Sequence, residues 1–172
     1  MKAVAHPSSK PFSRQVPLPH PALLQADWAD CYALTVPAEP RPLAIDAAHM
    51  ALGWFPLWAR LLLRLRNALV KPFGVQSSRD IAATRKNLIG FFPIVSASDR
   101  QVVLGFDDSH LDFRLVVDVI DQGPAAALVA VTTLVHRKNL FGRIYIAVVT
   151  PFHRLIVKAA LGNVARRLAV VH

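Results

Sequence analysis

The sequence predicts an α+β domain, and three observations carry that prediction. The second half of the chain holds four segments rich in Val, Leu, Phe and Thr, separated by turn signals only a few residues long. Gaps that short favour antiparallel hairpins. Two short helical patterns precede this run, and a long helical pattern follows it. The last segment, residues 139–172, carries Arg143, Arg154, Lys158, Arg166 and Arg167 and no acidic residue, yet is mostly apolar.

Pro7, Pro11, Pro17, Pro19 and Pro21 crowd the first 26 residues. Proline at that density opposes regular structure, so residues 1–26 are expected to be a poorly ordered arm, and residues 27–172 a single domain. Residues 22–27 are expected to form at most a short turn of helix. Residues 31–36 (Cys-Tyr-Ala-Leu-Thr-Val) have strand-forming side chains and stop at Pro37. Asp46 is expected to cap a helix over 47–54. Pro56 interrupts it and opens a second helix over 57–70. There Arg60, Arg64 and Asn67 share a narrow polar face, and Arg66, within the apolar arc, must snorkel. Residues 75–86 show no clear period.

Strands are expected over 88–95, 101–106, 111–120 and 126–137. Pro93 marks the first as an edge. The third alternates cleanly: Leu111, Phe113, Leu115, Val117 and Val119 on one face, His110, Asp112, Arg114, Val116 and Asp118 on the other. The first face should meet the core and the second should be largely wet. The fourth is apolar on both faces at first, so more of it should be covered. The final helix is expected from near Leu140 through at least Leu161. Its apolar arc would be Ile144, Val148, Phe152, Leu155, Ile156, Ala159 and Ala160, with Thr150, Arg154 and Lys158 facing away. Pro151 predicts a kink or break near Ala147. Gly162-Asn163 is a plausible C-cap with room for a further turn or two.

Composition narrows the function classes. Apolar residues make up 53% of the 172. The charge-free runs 47–59 and 122–136 fall short of the ~18 apolar residues of a spanning segment, and no apolar signal core follows Lys2. The single cysteine, Cys31, permits no intrachain disulfide and reads as a small buried apolar residue, in keeping with a cytoplasmic location. A net charge of +9 suits an anionic partner such as a membrane surface. No zinc-ligand spacing, Gly-rich phosphate loop, nucleophile elbow or RNA-binding aromatic motif appears. No metal, cofactor or nucleic-acid partner is therefore expected. Composition does not set the oligomeric state.

The order strand, two short helices, antiparallel strands, long C-terminal helix resembles the helix-grip fold of the START-like (SRPBCC) superfamily of lipid-transfer proteins, polyketide cyclases and plant hormone receptors. In that fold a curved sheet wraps around the last helix and leaves a cavity between them. Three segments are also similar to a bacterial family catalogued only as a domain of unknown function. They are Gly-Phe-Asp-Asp-Ser-His-Leu-Asp-Phe-Arg at 105–114, Asn-Leu-Phe-Gly-Arg-Ile-Tyr at 139–145 with Pro-Phe-His-Arg-Leu-Ile-Val at 151–157, and Leu-Leu-Leu-Arg-Leu-Arg-Asn-Ala-Leu-Val at 61–70. The similarity covers about residues 26–168. It implies a fold and no activity.

Within such a fold His153, flanked on the helical wheel by Ile146, Val149, Val157 and Ala160, is either a polar group looking into the cavity or a core histidine bonded to a neighbour. His110, Asp112 and Arg114 form either a polar cluster, with Asp112 paired to Arg114 and His110 bonded to Asp112, or an outer salt-bridged ladder. Arg143 and Tyr145 are candidates for the cavity mouth, where they would meet a carboxylate or phosphate. Asn139 is a candidate helix cap. Trp28, Trp54, Trp58 and Phe152 are candidate walls. The expectation is a binding module for a hydrophobic or amphipathic small molecule, with no residue assigned to catalysis. An enzyme of the cyclase, dehydratase or hydrolase type, and a peripheral membrane or interaction protein using the basic stripes Arg60/Arg64 and Arg154/Lys158, are the alternatives.

Overall fold

The computed structural model describes residues 10–39, 41–53 and 87–170. The expectations for the helix at 57–70, for residues 75–86 and for Trp54 and Trp58 lie outside the described residues. The elements in chain order are β1 (Phe12–Arg14), β2 (Trp28–Pro37), α1 (Ala44–Leu52), β3 (Leu88–Ile89), β4 (Phe92–Ala97), β5 (Gln101–Asp107), β6 (Leu111–Asp121), β7 (Ala126–Arg137) and α2 (Leu140–Val170).

The strands form one open antiparallel sheet in the order β1-β2-β7-β6-β5-β4-β3. From β3 to β7 each strand pairs with the next by hairpin. The sheet is completed over a long sequence distance, when β2 pairs β7 along its whole length, from Trp28↔Val135 to Pro37↔Ala126. β7 lies between β2 and β6 and is buried over most of its length, which is why both its faces are apolar.

Residues 88–95 are not one strand. Gly90, at φ 62°, turns the chain between β3 and β4, a left-handed conformation that glycine adopts at little steric cost. Pro93 sits in β4, paired to the two-residue edge strand β3. A register shift between Ile94 and Ser96 then bends β4 against β5.

One sheet face packs on α1 and α2. Leu34, Val36, Leu104, Leu115, Val117, Val129 and Val131 meet Val157, Ala160, Leu161, Val164 and Leu168 there. α1 offers Ala44, Ala47, Ala48 and Ala51, all fully buried, and side chains that small let two helix backbones approach closely. Leu43 precedes α1 and makes no side-chain cap. Asp46 lies in the first turn rather than at the cap, where its charge still favours the positive end of the helix.

The opposite face is not largely wet. The segment after Lys10 runs across it: β1 pairs β2, and Leu23 and Ala26 bury against Val103, Val116 and Leu134. Residues 22–27 are turns rather than helix. The segment is tied down at its end by Arg137, whose Nε lies 3.2 and 3.1 Å from the two carboxylate oxygens of Asp27 and whose backbone N–H donates to Oδ1 at 3.0 Å. Burial alone would raise the Asp27 pKa, but these hydrogen bonds and the Arg137 charge hold it below its ordinary value. Cys31 is buried under the same cover, beside Ala33, Leu128 and Ala130, and burial pushes its thiol pKa up.

α2 starts where expected, with the Asn139 side chain accepting from the Gly142 N–H at 2.9 Å. It does not end at Gly162-Asn163 and is not broken at Pro151. Proline removes the donor that the Ala147 carbonyl would meet, and Thr150 Oγ1 donates to the preceding carbonyl, Ile146, at 2.6 Å. Asn163 is buried and accepts from Arg166 within the helix. The apolar arc is also rotated from the expected one. Ile146, Val157, Ala160, Leu161, Val164 and Leu168 face in, while Ile144, Val148, Phe152 and Leu155 face out. The helix is apolar nearly all round, so its period alone does not choose the side that meets the sheet.

Candidate functional site

The C-terminal half of α2 lies tight on the sheet, and the N-terminal half, held there by Ile146 against Leu111 and Val135, leaves a gap beside that contact. The gap is a pocket of about 160 Å³. Aromatic rings dominate its walls: Trp28 from β2, Phe92 from β4, Phe106 from β5, Phe113 from β6 and Tyr145 from α2. Phe113 is the hub, with Phe92 stacked on it and Phe106 tilted against it, each at 5.6 Å between ring centres. Strand alternation explains the set, because Phe113 shares its face with Leu111 and Leu115.

His153 and Thr133 are polar side chains in the pocket lining, together with Thr150 and Tyr145. The His153 Nε2 lies 2.9 Å from Thr133 Oγ1 and 3.2 Å from Asp30 Oδ1. The Asp30 and His153 side chains are only 13% and 18% exposed. A carboxylate oxygen only accepts, so Nε2 must carry the proton. In the neutral ring Nδ1 then holds the lone pair, and it makes no hydrogen bond to a described residue. Trp28 sets its edge against the imidazole at 6.0 Å and fixes the ring plane further. The Asp30 Oδ2 has no hydrogen-bond partner among the described residues. The arrangement is an oriented, partly desolvated imidazole in the lining of an aromatic pocket. It can accept one hydrogen bond or one proton from a bound molecule.

Of the residues expected to bind a ligand, the structure brings together His153, Tyr145 and Trp28. It does not bring Arg143 or Phe152. Both are exposed, Phe152 at 45%, and neither lines the pocket. Asp30 was not foreseen. Its signal was a charged residue in the same alternation as Trp28, Tyr32 and Leu34, hidden because the strand was expected to begin only at Cys31.

His110, Asp112 and Arg114 do not act as one cluster. His110 precedes β6 and is 2% exposed, packed edge-on to Phe141 and Tyr145 at 5.2 and 5.6 Å, with Nδ1 3.6 Å from Asp108 Oδ2. It supports the pocket wall from behind Tyr145. Asp112 pairs across the ladder with His136 at 3.3 Å and with Lys138 at 2.6 Å. Arg114 pairs with Asp107 at 2.6 Å instead of Asp112. Its hydrogen bond and charge hold the Asp107 carboxyl below its usual pKa, against the effect of partial burial. Among the described residues no group of three or more His, Cys, Asp or Glu is placed to hold a metal ion.

A family model described as "Protein of unknown function (DUF2867)" matches residues 22–160. No curated protein and no solved structure matches the chain.

Proposed function

We propose that this chain, which belongs to the DUF2867 family, is a helix-grip, START-like binding module that holds a hydrophobic or amphipathic small molecule between its sheet and α2. One observation carries the reading: an aromatic-walled pocket has an oriented polar corner, where Asp30 and Thr133 both hold His153. Apolar walls supply affinity by burial, and one placed polar group selects orientation. The volume, about 160 Å³, is on the scale of a cavity that takes up benzene, about 150 Å³. A compact ring or short chain fits best. Its polar group would be a hydroxyl or N–H donating to His153 Nδ1.

Native mass spectrometry of the purified protein, followed by organic extraction, tests this reading. The expected result is a retained apolar molecule at fixed stoichiometry, lost in His153→Leu. Undiminished retention by that variant removes the role given to His153. Failure of both the native protein and added small aromatic alcohols to form a complex sinks the reading.

A second reading, a cyclase, dehydratase or hydrolase on a hydrophobic substrate, is favoured by Asp30 alone. A carboxylate behind an imidazole is the arrangement that orients a general base. Under this reading the extract of His153→Leu holds a molecule chemically different from that of the native protein. Identical extracts argue against turnover.

A further inference from the structure

The outer face of α2 carries Leu140, Ile144, Val148, Phe152 and Leu155, all between 45% and 72% exposed. They follow i, i+4, i+8, i+12 and i+15, so they form one stripe along four turns of helix. Large apolar side chains left contiguous on a surface mark a contact with something other than water. Arg143, Arg154 and Lys158 are also exposed and run along one flank of the stripe. At about 100° per residue they fall on the arc between the apolar stripe and the sheet. Lys158 reaches over the Tyr32 ring at 5.2 Å, which places that flank at the β2 side. Arg166 and Arg167 extend the positive charge toward the C-terminal end, and the helix has no acidic residue.

We propose that this face of α2 docks on an anionic membrane surface. The proposal does not rest on the pocket, which none of the stripe residues lines. A bilayer interface matches both halves of the pattern: the apolar stripe enters the headgroup–acyl boundary and the basic flank meets anionic headgroups. A second copy matches only the apolar half. It would bring another chain of net charge +9 and a second Arg143, Arg154 and Lys158 against the first. α2 is long and apolar enough, by length and composition, to cross a membrane. Its inner face is nevertheless core, with Val157, Leu161 and Val164 fixed on the sheet. The helix therefore lies in the interface with the sheet above it and does not span.

The test is vesicle flotation of the full chain, with phosphatidylcholine vesicles compared to the same vesicles carrying phosphatidylglycerol. The expected result is binding to the anionic vesicles that weakens with added salt, and little binding to the neutral ones. Ile144→Asp/Phe152→Asp and Arg143→Gln/Arg154→Gln should each lower the partition coefficient about tenfold or more, given roughly 1 kcal/mol for each basic residue near the surface. These positions are solvent-facing, and circular dichroism verifies that the variants fold. As a second measurement, Val148→Cys labelled with an environment-sensitive dye should shift to the blue on anionic vesicles, with the native Cys31 protected by burial. Equal binding to neutral vesicles, no binding, or binding unaffected by both double variants overturns the proposal. A dimer in sedimentation velocity that Phe152→Asp dissociates also overturns it and assigns the face to a second copy.

Discussion

Asp30 Oδ1 lies 3.2 Å from His153 Nε2 although 123 residues separate them. The contact joins β2 to α2 beside the pocket and sets which ring nitrogen carries the proton. Nitrogen NMR of the neutral His153 ring should report the Nε2–H tautomer. Asp30→Asn should admit both tautomers, because an amide can donate or accept. A native ring already in mixed tautomers would remove the orienting role of Asp30.

The same pair predicts a conflict between stability and function. Asp30 Oδ2 is buried without a partner among the described residues, so the carboxylate is incompletely compensated. Asp30→Leu/His153→Leu should be neutral or stabilising by about 1 kcal/mol or more, because apolar groups of similar size avoid that desolvation. Ligand retention should disappear. A loss of more than about 2 kcal/mol in urea unfolding would mean that the pair supports the fold.

Two helical glycines, Gly142 and Gly162, and the strand glycine Gly105 separate backbone propensity from steric fit. Replacing an interior helical Gly by Ala is worth about 1 kcal/mol in favour of Ala. At Gly162 an added Cβ meets nothing within 4 Å, so Gly162→Ala should stabilise by that amount. At Gly142 the Cβ would stand 2.3 Å from the His110 carbonyl oxygen. That atom is backbone and cannot swing aside, so Gly142→Ala should destabilise despite the better propensity. Gly105, at φ 155°, would place its Cβ 2.1 Å from the Phe113 carbonyl oxygen, and Gly105→Ala should cost on the order of 3 kcal/mol. Urea midpoints at constant slope decide all three.

Acid should loosen the arm before it unfolds the sheet. Asp27 and Asp107 have folded pKa values below their ordinary ones. Their stabilisation is therefore fully present above the unfolded carboxylate value of about 3.9 and is lost as pH falls through the lower folded value. Both are partly exposed, so screening limits each to less than about 1 kcal/mol. Asp27→Asn should flatten the acid limb of the stability curve below about pH 4 and speed proteolysis near Leu23 more than elsewhere. An unchanged acid limb would mean that the Arg137 contact contributes nothing in solution.

Leu23→Ala tests whether the arm is structural. Leu23 is 7% exposed against Val116 and Leu134, and truncating a side chain in such a site costs about 2–3 kcal/mol. A change under about 0.5 kcal/mol, the ordinary range for a surface residue, would show that the arm lies loosely on the sheet.

Local pattern was enough for much of the architecture. The bounds of β7, the two faces of β6, the Asn139 cap and the inward position of His153 could all be read from periodicity, turn residues and cap chemistry. These depend on neighbours a few residues apart. Four features were decided only by tertiary structure. β2 closes on β7, which brings Asp30 to His153. The Pro-rich arm covers the second sheet face, which alternation alone left to water. Gly90 divides one apparent strand into a hairpin. α2 turns Ile144, Val148 and Phe152 outward, because a helix apolar nearly all round carries no internal record of which side meets the sheet. In each case the sequence determined what a face is made of, and packing between distant segments decided what that face would meet.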